Sequence, residues 1–174
     1  MNPSTPDDLP AAEPAARCEG CGLEVPDGTA GCQRIMDEVL ARDFSSIYHF
    51  RVHRMMLDTY SLQHPERYCA SAKSLAAHLT GLAWLVEHDG DRALGGEPLR
   101  QWLNGRSALE KPAIPSDRGR LTIADVRAAE NADVYARMVD RWARSTWEVY
   151  APLHEVAREW IRQALAAAGA RRSR

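Results

Sequence analysis

Apolar positions recur at steps of three and four along most of the chain, and from Gly31 onward no run of four residues alternates as a strand would. Between Gly31 and Arg42 the stripe is Ile35, Met36, Val39 and Leu40, which predicts a first helix headed by Cys32. Ser45 or Ser46 is placed to cap a second helix, with Ile47, Phe50, His53, Leu57 and Tyr60 along one side. Pro65 disfavours helical backbone at His64 and suits a first helical turn. The second helix is therefore expected to end near His64, and a third to span about Glu66 to Glu87 with Leu75, Leu79, Leu82 and Val86 on its face. Next come a short helix over EPLRQWLNG, a proline-bearing loop RSALEKPAIPSDRGR, and a capping box at Thr122 and Asp125 stapled by Leu121 and Val126. A long helix from about Ala132 carries Tyr135, Met138, Val139, Trp142, Val149 and Tyr150 to Pro152. There a kink or new start leads into Val156, Trp160, Ile161 and Ala164. The expected fold is all-α: an irregular helical bundle of about four main helices with a short Cys-bearing N-terminal metal-binding extension.

Residues 1–17 hold four prolines and almost nothing to bury, and are expected to be a disordered tail. Residues 18–168 read as a single helical domain that includes the cysteine knuckle, and 169–174 as a basic C-terminal tail. A chain of 174 residues can bury a core without metal or disulfides. A metal site would thus be added to a viable fold. The net charge of -2 and a pI near 6.3 give no field that collects nucleic acid or acidic lipid. With no apolar run of membrane-spanning length and no secretion signal at the N-terminus, the expected location is cytoplasmic. Four cysteines in such a chain favour thiols or metal ligands over disulfides.

The sharpest chemical signal is CEGCG. The two-residue gap between Cys18 and Cys21 lets both thiolates reach one ion, and Gly22 permits the tight turn beyond. Two further ligands are needed. Cys32 can be brought back by the Pro-Asp-Gly turn, although a cysteine at a helix start is also a small buried hydrophobe. His53 lies on the inward stripe of its helix, where an imidazole must be hydrogen-bonded or ligated. His49, one turn earlier, sits nearer the edge of that stripe. Cys69 reads as a helix-packing residue. Asp58, Tyr60, Lys73 and His78 could line a polar pocket between the second and third helices, with Asp58 orienting an imidazole; otherwise Asp58 pairs with Arg54, Lys73 lies on the solvated face and His78 is satisfied in the core. Redox work by Cys18 and Cys21 would need a helix beginning directly after the first cysteine, which Gly22 and Pro26 oppose. Phosphate loops, H-E-x-x-H, G-x-S-x-G and paired E-x-x-H motifs are all missing from the sequence.

CEGCG, HRMMLDTYSLQHP and SAKSLAAHL together resemble a family of uncharacterised bacterial proteins, a domain of unknown function. Its segments fall on Cys18, Cys21 and Gly22, on His53, Arg54, Asp58, Tyr60, Gln63, His64 and Pro65, and on Ser71, Lys73, Ser74 and His78. The similarity spans about Cys18 to Trp160 and implies no reaction. It does bring His64 forward, as a ligand beside Cys18, Cys21 and His53 in a set without Cys32.

The metal expected is zinc, with iron as the alternative. The function expected is that of a metal-binding accessory or interaction protein. An enzyme using the His/Asp pocket, metal-dependent or acid/base, is the competing possibility. Another protein or a small-molecule ligand is the expected partner, rather than nucleic acid or membrane.

Overall fold

The computed structural model describes residues 16–88, 92–105 and 108–172. Residues 1–15 of the expected tail and the last two residues of the expected basic tail lie outside that range. Ala16 and Arg17 form β1 (Ala16–Arg17), which pairs antiparallel with β2 (Glu24–Val25), with Ala16 opposite Val25. This two-residue ladder closes a hairpin around the cysteine knuckle.

The rest is helical. Helix α1 (Gly28–Ser45) starts three residues before the expected Gly31 and buries Cys32, Ile35, Met36, Val39 and Asp43. The expected second helix is two: α2 (Ile47–Phe50) and α3 (His53–Gln63). Because the chain bends between them, Ile47 and Phe50 leave the stripe and are 74% and 42% exposed. The expected third helix also divides, into α4 (Pro65–Tyr68) and α5 (Ala72–Glu87). Ser71 caps α5: its hydroxyl accepts from Ser74 N, and its own N–H donates to Ser74 Oγ. A serine in the place usually held by Glu or Gln supplies the reciprocal half of that box.

Helix α6 (Arg92–Asn104) is longer than the segment expected, and α7 (Ile123–Arg127) begins at the capping box of Thr122 and Asp125. Asn131 caps α8 (Ala132–Val149), which buries Tyr135, Val139, Trp142, Ala143 and Thr146 on one face. Pro152 sits in a single 3-10 turn, Ala151–Leu153, and the chain starts anew as α9 (His154–Arg172), which runs on past the expected boundary at residue 168. Among the described residues, six helices of 11 residues or more replace the expected four. None of the described helices is long and apolar enough to cross a membrane.

Helix α3 packs on α5 and α8, α5 also meets α6 and α9, and α1 joins through α7. Trp142, Tyr135, Tyr150, Met56 and Leu62 are the largest side chains fully buried between them. Three side-chain bonds fix the C-terminal end of α3. Tyr150 Oη donates to the Leu62 carbonyl at 2.7 Å. Gln63 Nε2 donates to the carbonyls of Arg118 and Leu121 at 2.6 and 2.8 Å, tying the proline-bearing loop to the same corner. His64 emerges from α3 at this fixed corner.

Candidate metal centre

Three elements deliver four ligand atoms to one point. The hairpin turn carries Cys18 and Cys21; Cys18 N donates to Leu23 O and Gly22 N to Cys18 O, which folds the turn, and Gly22 takes φ 78°. Such a left-handed backbone is open to glycine at little cost. Helix α1 carries Cys32 at the start of its second turn, and the end of α3 presents His64. The ligand atoms of Cys18, Cys21, Cys32 and His64 all lie within 4.8 Å of one another, and all four residues are buried. These residues are positioned to bind a metal ion.

The spacing can be tested against a specific polyhedron. With Zn–S near 2.3 Å and Zn–N near 2.05 Å, a regular tetrahedron has S···S edges of about 3.8 Å and S···N edges of about 3.6 Å. Cys21 Sγ lies 3.7 Å from Cys32 Sγ, and His64 Nε2 lies 3.5 Å from both Cys18 Sγ and Cys32 Sγ. Three edges thus match without adjustment.

His64 is prepared for ligation by its other nitrogen. Nδ1 lies 2.8 Å from the Tyr60 carbonyl, which can only accept, so the proton belongs on Nδ1 and the Nε2 lone pair faces the sulfurs. The imidazole also stacks on the Tyr60 ring at 4.0 Å between centroids. Gly20 makes room for it: a Cβ there would lie 2.3 Å from His64 Cδ2. The middle of C-x-x-C is therefore part of the cradle as well.

Hydrogen bonding with Cys32 draws the Cys21 thiol down to about 4, against burial and with help from His64. The same bond, together with burial, pushes Cys32 far up. A divalent cation at that point would displace the thiol protons and leave thiolates. Tyr60 Oη stands 3.7 Å from Cys32 Sγ, and burial first, then the neighbouring sulfur, keeps the phenol neutral. It is placed to donate to that sulfur.

His53 is not in the cluster. Its Nδ1 lies 2.9 Å from Asp43 Oδ2, and the fully buried Asp43 accepts a second bond from Tyr135 Oη at 2.5 Å. The reason is helix geometry: eleven residues separate His53 from His64, about 16 Å of rise. One end of α3 reaches the knuckle and the other reaches α1 and α8. Ligation by the set Cys18, Cys21, His53 and His64 is corrected accordingly, with Cys32 in place of His53. Cys69 lies apart, its Sγ 3.6 Å from the Ser61 carbonyl and its thiol pushed up to about 12 by burial.

The pocket candidates also separate. Tyr60 faces the cluster. Asp58 and His78 meet each other, Nδ1 to Oδ1 at 2.9 Å, while Arg54 Nε donates to Asp58 Oδ2 at 2.6 Å. The predicted orientation of an imidazole by Asp58 and its pairing with Arg54 thus both occur, without Tyr60. Asp43 was not singled out in the sequence, because an aspartate late in a helix carries no signal of the tyrosine and histidine that will surround it.

Fold and site together define a small, mainly α-helical protein with a buried Cys3His cluster where a hairpin meets the helical body. A family model, Family of unknown function (DUF5946), matches residues 16–151, and the chain belongs to that family. The match runs from β1 to the turn before α9 and includes all four clustered residues. No curated protein and no solved structure matches the chain.

Proposed function

We propose that the ion is zinc, that its role is structural, and that the protein acts as an accessory or interaction protein. The carrying observation is the set of four buried ligand atoms within 4.8 Å of one another, three of whose edges have tetrahedral lengths. Three sulfurs and one imidazole suit zinc, and four protein ligands leave no coordination position for substrate or water. Cys18, Cys21, Cys32 and His64 would hold the ion, which supplies a cross-link between hairpin, α1 and α3. Function then belongs to the surface that the cross-link holds in shape. Phe44, Ile47 and Tyr48 are 71%, 74% and 67% exposed around the α1–α2 corner, and such grouped apolar exposure supports a protein partner.

The test is elemental analysis of protein purified without a polyhistidine tag. About one zinc per chain is expected. Cys18→Ser, Cys32→Ser and His64→Ala should lose it, while His53→Ala and Cys69→Ala should keep it. Metal-free, folded wild-type protein would overturn the proposal, and so would zinc loss in His53→Ala.

A further inference from the structure

A cavity of about 620 Å³ lies between α5 and α6, away from the cysteine cluster. Its size falls within the range of small-molecule sites, roughly 300–1,000 Å³. Trp84 and Leu85 from α5 and Leu99 and Leu103 from α6 give it apolar walls. The ionised side chains that line it are all of one sign: Arg54, Lys73 and Arg100, with no Asp or Glu among the described lining residues. In a chain of net charge -2, that asymmetry is local to the cavity.

The cations are held in different ways. Lys73 Nζ donates to the Gly105 carbonyl at 2.9 Å, and Arg100 pairs with Glu97 one turn back on the exposed side of α6. Arg54 is the fixed one. Its Nε donates to Asp58 Oδ2 at 2.6 Å and its Nη2 to the Ala77 carbonyl at 3.2 Å. Asp58 is 1% exposed and is itself braced by His78. Gly81, another lining residue, permits this approach, because a Cβ there would stand 2.3 Å from Asp58 Oδ2 and 2.9 Å from Arg54 Nη2. Asp58 is thus a positioning residue that holds a guanidinium at the cavity wall.

We infer that the α5–α6 cavity is a binding site for an amphipathic anion, an apolar body carrying a single carboxylate or phosphate head. The chain lies between the two helices and the head meets Arg54, Lys73 and Arg100. Apolar walls alone would accept any hydrocarbon, and cations alone any anion; the combination selects molecules that have both. The site does not depend on the cysteine cluster, so its test stands whatever metal analysis finds.

Calorimetric titration of the full chain with decanoate, decyl phosphate and decanol provides that test. These probes share one body and differ in the head. The anions should bind one per chain, and the tighter of them at least about tenfold better than decanol, a difference of about 1.4 kcal/mol. The two anions distinguish a carboxylate from a phosphate head. Lys73→Gln/Arg100→Gln, which alters only exposed side chains, should erase most of that preference while leaving decanol binding in place. Gly96→Phe should weaken all three probes, since Gly96 lines the cavity and a Cβ there meets nothing within 4 Å. Circular dichroism checks that both variants are folded. Equal binding of decanol and the anions, a preference that survives the double substitution, or no binding to folded wild-type protein would each overturn the inference.

Discussion

At the residue scale, the segment from His53 to Pro65 assigns a separate task to almost every polar side chain. His53 braces Asp43, Arg54 and Asp58 pair beside His78, Tyr60 faces Cys32, Gln63 holds the 118–121 loop, and His64 joins the cluster. Two substitutions probe this division. Gly20→Ala places a methyl group 2.3 Å from the His64 ring and must push the imidazole back. Zinc affinity, measured by competition with a chromogenic chelator, should fall about 10- to 100-fold, the usual effect of disturbing what orients a metal-bound histidine. Asp43→Ala leaves the Tyr135 hydroxyl and the His53 imidazole without their buried acceptor. It should lower unfolding stability by about 3 kcal/mol in urea titration, with metal content unchanged. Cys18 and Cys21 are legible in the sequence because C-x-x-C is a local arrangement. His53 misleads because its place on an apolar stripe says that it is buried but not what it meets.

At the element scale, breaks in the helices decide where side chains go. The bend after α2 exposes Ile47 and Phe50, and the Ser71 cap restarts the chain as α5, bringing His78 opposite Asp58. Periodicity cannot register either break, since apolar spacing continues across both. The contact between α5 and α9 offers a test with a pH signature. Arg158 donates from Nε and Nη2 to both oxygens of Glu87, and these bonds hold the Glu87 carboxyl below its ordinary value of 4.5, against partial burial. The folded state therefore binds that proton less readily than the unfolded chain. Its stabilisation is fully present above about pH 4.5 and is lost as pH falls through the lowered value. Glu87→Gln should cost about 0.5–1 kcal/mol at pH 7, limited by the solvent around Arg158. Chemical unfolding in increasingly acid buffer should show the difference from wild type closing.

At the scale of the whole molecule, the helical core and the hairpin have different sources of stability. Trp142, Tyr135, Tyr150 and the leucines of α5 form a core buried by helix packing. The hairpin consists of two paired two-residue strands, and its innermost side chains are Cys18 and Cys21. Chelation should therefore free the hairpin while the helices persist. Far-UV circular dichroism is expected to change little, and amide exchange to accelerate over residues 16–33 well before the α3 and α8 cores respond. Loss of most helical signal on chelation would mean that the ion supports the entire fold.

The sequence by itself determined the all-α class, the positions of most helices, the cysteine pair and the capping box at Thr122. Each of these is written in contacts between residues a few positions apart. Only the tertiary structure decided which histidine joins the cysteines, because His53 and His64 share a helix but occupy opposite ends of it. It also decided that Asp58 and His78 meet, and that three cations line an apolar cavity between α5 and α6. These depend on how whole helices cross, and residue spacing along a chain carries no record of that angle.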